Sequence, residues 1–309
     1  MVYTLTLNTS LDYVAHVDEL EVGKIHKTTM YSIYPGGKGI NVSQVLKELG
    51  VENTALGFVA GHTGECLEAI MHDKCIHTDF VKLSCGITRV NMKIRSMMGD
   101  DTIAETDING IGPVIRADEL EQLKKQLGRL NFGDTVIVSG SVPPSVSVED
   151  YGELLNEVSK SHAMLVVDAV GDYLKEALKY RPFLIKPNKQ ELLDVFEEQS
   201  GAEVEALAGR LCDMGAENVL VSLGADGAFL KTSDGIAMSM KAPNGTAVNT
   251  VGAGDSMVAG FVAGYNATGD REYAMKLGIC AGSATTFSDG LATGKQVYDL
   301  LEKYGEKRV

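Results

Sequence analysis

The amino-acid sequence predicts a doubly wound α/β protein with a mostly parallel main sheet and a small additional β-sheet. Short, almost continuously apolar runs recur along the chain, and helical stretches separate them. Strands that are buried on both faces have this composition, and alternating strands and helices are typical of a parallel sheet covered on both sides. Two polar, strand-like stretches in the first third of the chain predict the additional sheet.

Four apolar runs in the middle of the chain are predicted strands of the main sheet, and three helices lie between or after them. The strands are Thr135–Ser139, Met164–Asp168, 183–186 and 219–223; the helices are Val148–Lys160, 189–198 and 204–214. Residues 1–8 form a further predicted strand and lack the features of a signal peptide.

The small sheet is predicted from segments 11–34 and 88–106. The first is polar and strand-like, and the second alternates polar and apolar residues, as a sheet with one exposed face does. No linker rich in Pro, Gly or Ser divides the chain, and no internal repeat is visible. The prediction is therefore one α/β domain over residues 1–309 with the small sheet projecting from it.

The composition limits the partners of the protein. The chain has 309 residues, 44% of them hydrophobic, and a formal net charge of −14. An acidic surface argues against binding to nucleic acid or to an anionic membrane. No apolar run is long enough to span a bilayer, and the scattered cysteines, with no CxxC pair, indicate a reduced, cytoplasmic protein.

The strongest local motif is NTVGAGDSMVAG at 249–260, in which Gly252, Ala253 and Gly254 precede a helix predicted to begin at Asp255. Small residues let the backbone approach a ligand, and the N–H groups at a helix start attract an anion. A carboxylate is also favoured at that end of a helix. The alternative is that Asp255 only caps the helix after a glycine-rich turn.

Two further motifs follow early in the chain. PGGKGINV at 35–42 places Gly37 and Lys38 before a predicted helix at 40–49, which Asn41 helps to begin; the alternative is a tight turn. At the end of the first strand, Asn8, Ser10 and Asp12 share one face because alternate residues of a strand point the same way. The alternative there is a polar loop with an Asx-turn.

A cationic stripe stands out on this acidic chain. In TRVNMKIR, the side chains of Arg89, Asn91, Lys93 and Arg95 share one face of a predicted strand. Arginine suits a phosphate dianion because its planar fork can donate two hydrogen bonds. The alternative is a solvated strand face, and Arg95, last in the stripe, fits that alternative best.

Polar groups also follow the later predicted strands. They are Ser139 in SGSVPP, Lys186, Asn188 and Glu191 in KPNKQE, and Ser222, Gly224 and Gly227 in SLGADG. An asparagine and a carboxylate near phosphates often serve Mg²⁺, directly or through water. The SLGADG turn is a candidate to approach a nucleotide, or it is simply a turn.

Together these segments resemble the PfkB (ribokinase-like) family of sugar kinases. PGGKGINVSQVLKELG resembles the N-terminal signature of the family and NTVGAGDSMVAGF its C-terminal signature. LTLNTSLDY, ITRVNMKI and ETDINGIGP resemble segments of the members that phosphorylate sugar phosphates, best those acting on fructose 1-phosphate, although Thr9 stands where proline is usual. Tagatose 6-phosphate, fructose 6-phosphate and, as a different class, a non-catalytic sugar-phosphate sensor stay open.

The resemblance implies roles for the residues named above. Asp255 would be the general base, and Gly252, Ala253 and Gly254 would offer N–H groups to the transferred phosphoryl group. Arg89 would bind the existing phosphate of the sugar, and Glu191 would organise Mg²⁺, directly or through water. The remaining sugar-binding residues would be Asp12, Gly37, Lys38, Asn41, Asn91 and Ser139, and the nucleotide-binding residues Lys186, Asn188, Ser222, Gly224 and Gly227.

The resemblance also implies the cofactors and the assembly. ATP and Mg²⁺ are expected, with a monovalent cation as an option. The small sheet is expected to act as a lid over the sugar, and two lids are expected to pack together in a homodimer.

Overall fold

The computed structural model describes residues 1–97, 103–198 and 203–306, and within these ranges the strands form two sheets. The large sheet has the order β13-β12-β11-β10-β9-β8-β1-β4-β5, and the small sheet has the order β3-β2-β6-β7. The strands are β1 (Val2–Thr6), β2 (Ser10–Val17), β3 (Met30–Gly36), β4 (Asn53–Val59), β5 (His77–Lys82), β6 (Arg89–Met97), β7 (Ile103–Ile108), β8 (Thr135–Ser139), β9 (Met164–Asp168), β10 (Leu184–Ile185), β11 (Asn218–Ser222), β12 (Ala228–Thr232) and β13 (Ala237–Met240).

Helices connect most of the strands of the large sheet. They are α1 (Lys38–Glu48), α2 (Gly61–Asp73), α3 (Ala117–Leu127), α4 (Val148–Lys160), α5 (Gly171–Leu178), α6 (Lys189–Phe196), α7 (Val204–Asp213), α8 (Ala253–Thr268), α9 (Arg271–Thr286) and α10 (Gly294–Glu306), with a short 3₁₀ turn at Gly224–Asp226. None of those in the described ranges combines the length and the apolar character that crossing a membrane requires.

The large sheet is parallel from β5 to β11, and β12 and β13 extend it in antiparallel fashion. Strand β1 lies between β4 and β8. From β1 the chain continues through β4 and β5 to one edge of the sheet, and from β8 onwards it continues to the opposite edge. The strand order therefore reverses between β1 and β8, and open α/β sheets bind ligands beyond the carboxyl ends of the strands at such a point.

Helices cover both faces of the large sheet, which explains the continuous apolar runs. In β8, Val136 and Val138 pack into the core under α3 to α7, whereas Ile137 packs into the core under α1, α8, α9 and α10. A strand between two helical layers has no solvent face and needs no polar residue in its middle. The predicted doubly wound sheet is confirmed.

The small sheet has one apolar face and one polar face. Strands β2 and β6 pair in parallel, while β3 and β7 pair with them in antiparallel fashion. The register aligns Tyr13 with Ile33 on one side and Met92 on the other, and Met92 with Ile108. The predicted small sheet is confirmed; of its second segment, residues 98–102 lie outside the described residues.

Several predicted bounds differ from those observed. The predicted strand 183–186 shortens to Leu184–Ile185, because the flanking Pro182 and Pro187 have no N–H group for the ladder. The helix predicted at 40–49 begins at Lys38, and the helix predicted from Asp255 begins at Ala253. Both shifts place predicted site residues inside the first turn of a helix.

Candidate active site

A buried carboxylate, Asp168, lies at the carboxyl end of β9 and pairs with two lysine side chains. Lys38 Nζ lies 3.2 Å from its Oδ2, and Lys186 Nζ lies 3.7 Å from its Oδ1. Ser139 Oγ donates to Oδ2 at 3.5 Å. Burial opposes the charge on Lys38, but Asp168 and then Asp255 outweigh burial and raise the pKa of the Lys38 ammonium.

A second buried carboxylate, Asp255, lies in the first turn of α8. The cap of this helix is Gly252, with φ of 79°, a left-handed conformation that favours glycine. Asp255 Oδ2 accepts a 2.8 Å hydrogen bond from Asn41 Nδ2. The interpretation of Asp255 as the helix cap is therefore wrong, and its side chain is directed to Asn41 in the first turn of α1.

The surroundings of Asp255 favour its protonated form. Burial is the main cause and the negative charge of Asp168 the next, and together they raise the pKa of Asp255 to about 6. The Asn41 hydrogen bond and the Lys38 and Lys186 ammonium groups act in the opposite direction. A carboxyl group with a pKa near neutrality is suited to accept a proton during a reaction.

The turn before α8 lies beside a lysine ammonium group. A β-carbon on Gly254 would lie 3.3 Å from Lys186 Nζ, so this ammonium group faces the backbone of the turn. The first N–H groups of a helix have no acceptor within the helix and favour negative charge. Of the predicted donors, Ala253 N–H already makes a long bond of 3.4 Å to Thr250 O. The N–H groups that follow it, together with Lys186, can meet an anionic oxygen.

On the small sheet, Asp12 joins a hydrogen-bonded polar cluster. Its Oδ1 accepts from Ser10 Oγ and from Asn91 Nδ2, both at 2.8 Å. Asn91 Oδ1 in turn accepts from Gly110 N at 3.2 Å. Gly37 caps α1 directly before Lys38, and a β-carbon on the preceding Gly36 would collide with the Asp12 carboxylate. The sugar-side residues predicted from two separate motifs therefore lie close together.

Arg89 is partly buried beside this cluster. Its Nη2 donates to Asn8 O at 3.0 Å and its Nη1 to Gly110 O at 3.3 Å. Burial lowers the pKa of the guanidinium, and the negative charge of Asp12 acts against this. Among the described residues, Arg89 Nε and Asn8 Oδ1 are buried without a hydrogen-bond partner. Buried unsatisfied groups of both kinds mark a place where a polar ligand would complete the hydrogen bonding.

The residues predicted for the nucleotide lie at the ends of β10 and β11. Asn188 caps α6: its Oδ1 accepts from Glu191 N, and Glu191 Oε2 accepts from Asn188 N, both at 2.8 Å. Asn188 also forms a β-bridge with Ser222. Gly224 begins the 3₁₀ turn, and Gly227 follows it. The asparagine and the glutamate thus have a structural role in helix capping.

The carboxylates do not form a complete protein cage for a metal. Across residues 1–97, 103–198 and 203–306, no group of three or more His, Cys, Asp or Glu side chains is arranged to hold a metal ion. Mg²⁺ is commonly bound by one or two carboxylates, water and the phosphates of a substrate. Glu191 is close enough to raise the pKa of Lys38. It fits a site in which Mg²⁺ is bound by one carboxylate together with water and substrate phosphates, and not a site built from protein ligands alone.

Two residues make interactions that the sequence analysis did not predict. Asp168 had no predicted role, although a carboxylate at the end of an apolar parallel strand is the available signal. Arg95 is not a solvated member of the cationic stripe, and that interpretation is wrong. Its guanidinium contacts Glu105 at 2.9 Å and Asp289 at 2.7 Å, and 13% of its side chain is exposed.

A cleft of about 240 Å³ lies between the polar face of the small sheet and the main body. Its walls include Asp12 and Lys93 on one side and Asn41 and Val251 on the other. The cleft thus joins the predicted sugar-side residues to the turn before α8.

Comparison with known proteins agrees with this geometry. The model of the pfkB family of carbohydrate kinases matches residues 5–296. The chain is 40% identical over 303 residues to 1-phosphofructokinase of Bacillus subtilis, covering 97% of each chain, and 36% identical over 294 residues to D-tagatose-1-phosphate kinase of Bacillus licheniformis, covering 94% of each. Phosphofructokinase-2 from Escherichia coli, solved in complex with substrates and products, superposes with a TM-score of 0.92 at 28% identity and 99% coverage of both chains.

The family match extends over nearly the whole chain and includes both sheets and the cleft between them. The chain belongs to the pfkB family of carbohydrate kinases.

Proposed function

We propose that this protein transfers the γ-phosphoryl group of ATP to a hydroxyl of a sugar phosphate, and that the sugar phosphate is fructose 1-phosphate. The observation that carries the proposal is Asp255, a buried carboxyl with a pKa raised to about 6 beside a glycine-rich helix start. The relatives named as 1-phosphofructokinases support the choice of sugar.

Asp255 accepts the proton of the attacking hydroxyl. The hydroxyl oxygen forms a bond to the γ-phosphorus, and the bond from that phosphorus to the β–γ bridging oxygen breaks, which releases ADP. Asn41 orients the carboxylate through its 2.8 Å hydrogen bond to Oδ2. The proton moves from the sugar to Asp255 as the hydroxyl becomes an ester oxygen, so the base is needed mainly in the transition state.

The main-body wall stabilises the charge on the transferred group. Lys186 and the N–H groups of the turn at 252–254 bind phosphate oxygens, while Asp168 holds Lys186 and Lys38 in place. When bound, Mg²⁺ neutralises phosphate charge, and Glu191 would hold it through water. Asn188, Ser222, Gly224 and Gly227 line the nucleotide side.

The lid wall holds the sugar and excludes water. The Asp12 carboxylate accepts hydrogen bonds from the sugar hydroxyls, and the Asn91 amide donates to them. Gly37, Lys38 and Ser139 bind the sugar from the adjoining edge of the main body. Arg89 binds the phosphate that the sugar already carries, which its unpartnered Nε supports. Closure of the small sheet keeps water from competing for the phosphoryl group.

A second candidate substrate is D-tagatose 1-phosphate, because one relative carries the name D-tagatose-1-phosphate kinase. The test is ADP release from ATP with fructose 1-phosphate, tagatose 1-phosphate, tagatose 6-phosphate and fructose 6-phosphate. We expect the highest kcat/KM with fructose 1-phosphate. A higher value with another sugar phosphate would reassign the substrate, and sugar-phosphate binding without ADP release would indicate a sensor.

We further propose a homodimer whose subunits pair through the apolar faces of their lids, each lid and its main sheet acting as one domain. Tyr31, Ile33, Met92 and Ile108 are exposed on that face, and Tyr13 stacks on Tyr31. An apolar patch of this kind usually has a partner, and a two-fold dimer is the commonest one. The free cysteines are consistent with the reduced cytoplasm, where we place the enzyme.

A further inference from the structure

Arg95 joins two parts of the fold through one guanidinium group. Its Nε donates to Glu105 Oε2 on the neighbouring lid strand β7, at 2.9 Å. Its Nη1 donates at 2.7 Å to Asp289 Oδ1, which lies in the loop after α9 in the main body. One bond therefore stays within the lid, and the other crosses the cleft.

The location of this second bond is mechanically important. The lid joins the main body near Ser10, Gly36 and Arg89, where its strands begin or end. Arg95 lies further along β6, roughly 20 Å from Arg89 at about 3.3 Å per residue. Both Arg95 and Asp289 line the cleft. The ion pair thus holds the part of the lid that is distant from its attachment.

Asp289 is also connected to the anion-binding turn. Asn249 Nδ2 donates to Asp289 O at 3.1 Å, and Val251 N donates to Asn249 Oδ1 at 2.9 Å. Val251 directly precedes Gly252, the cap of α8. A short series of hydrogen bonds therefore runs from the lid, through Asp289, to the backbone that would contact the transferred phosphoryl group.

We propose that Arg95 and Asp289 form an interlock that couples the position of the lid to the geometry of the turn at 252–254. They are positioning residues for the phosphoryl transfer proposed above, on which this inference rests. Neither needs to touch the sugar or the nucleotide. When the pair is intact, the lid is held over the cleft and the turn is held in the same arrangement; when it is broken, both loosen together.

Two variants of matched chemistry test the interlock. Asp289→Ala removes the bond that crosses the cleft, and Glu105→Ala removes the bond within the lid, so each deletes one carboxylate from the same guanidinium. We expect Asp289→Ala to raise the KM for the sugar phosphate about threefold to fivefold, the effect of losing a partly exposed ion pair. Glu105→Ala should change it by less than about twofold, and Asp289→Glu should restore most of the loss.

Hydrogen exchange provides a measurement that needs no reaction. The backbone amides of 249–256 should exchange faster in Asp289→Ala than in the wild type, and at the wild-type rate in Glu105→Ala. Faster exchange in both variants, or in neither, would overturn the interlock. Faster exchange with an unchanged KM would overturn the positioning role. A wild-type enzyme that phosphorylates no sugar phosphate would instead contradict the proposed function, while the exchange result would still decide the coupling.

Discussion

The candidate active site has a main-body wall whose charged side chains neutralise one another, whereas its lid wall has a positive charge, that of Arg89, without a carboxylate in direct contact. Lys38 and Lys186 share the buried Asp168. Arg89, in contrast, donates to two carbonyl oxygens, which carry no net charge. The main-body wall is therefore arranged before a ligand binds, while the lid wall has a charge that a phosphate can neutralise. This difference fits the proposed roles, in which the main-body wall serves the phosphoryl transfer and the lid wall serves sugar-phosphate binding.

The largest expected effect comes from Asp255→Asn on the main-body wall. We expect kcat to fall by about a hundredfold or more, because general-base catalysis contributes at least that much, with small changes in KM. The melting temperature should not fall, since the variant no longer buries a carboxylate. Turnover above about a tenth of the wild-type value would contradict the role of Asp255 as the base.

The matched control is Asp168→Asn, the other buried carboxylate of the same wall. This variant leaves two ammonium groups without their partner, so the free energy of unfolding should fall by about 3 kcal/mol. Chemical denaturation of both variants would separate them, because we expect only Asp168→Asn to lower the free energy of unfolding. Equal stability losses would break the distinction between a structural and a reactive carboxylate.

Arg89→Ala tests the lid wall. We expect the KM for the sugar phosphate to rise about thirtyfold, because a charged hydrogen bond contributes about 2 kcal/mol, while the KM for ATP changes little. Arg210→Ala, on α7, removes an arginine that pairs with Glu198 and should leave both KM values unchanged. An unchanged sugar KM in Arg89→Ala would remove Arg89 from the phosphate site.

The pH dependence tests the raised pKa of Asp255. A base acts in its deprotonated form, so kcat/KM should fall about tenfold per pH unit below the folded-state value of about 6. A profile that stays flat down to pH 5 would contradict the assignment. The effect on stability has the opposite sign. Between the ordinary value of 3.8 and about 6, the folded state binds the extra proton, so the contribution of Asp255 to stability decreases as pH rises.

The smallest expected effect concerns Glu191. In Glu191→Gln, the glutamine side chain can keep the capping box with Asn188 but lacks the carboxylate charge. We expect an unchanged melting temperature and an Mg²⁺ requirement raised about fivefold, the scale of an exposed charge interaction. Titration of Mg²⁺ at fixed ATP measures this, with Glu197→Gln, just after the same helix, as the control. Identical Mg²⁺ curves would leave Glu191 with capping alone.

The sequence predicts the large sheet well because burial on both faces leaves a local signal. Residues Thr135–Ser139 and Met164–Asp168 are apolar from end to end or nearly so, and their observed bounds are the predicted ones. The glycine-rich motif also identifies the position of Asp255. The motif alone does not show that Asp255 is not the helix cap. That depends on where α8 begins and on the hydrogen bond from Asn41, which is distant along the chain.

Contacts between distant segments limit the prediction of the site. Nothing near Arg95 in the sequence identifies Asp289 as its partner, since the two residues meet only after the lid folds over the main body. Similarly, the ordinary end of an apolar strand does not reveal that Asp168 holds Lys38 and Lys186 together. Periodicity identifies which residues share a face, whereas the folded chain determines which faces meet.

The parallel pairing of β2 with β6 makes the lid sensitive to changes in chain length. Ser10 lies opposite Arg89 and Asp12 opposite Asn91, and the alternation continues along both strands. One residue inserted within β6 would turn the side chains beyond it to the opposite face. Lys93 and Arg95 would then point away from the cleft, and Ile94 would enter it. Insertions should instead be tolerated in the exposed loop at 18–29, so natural variation in length is expected to accumulate there and to be absent from β6.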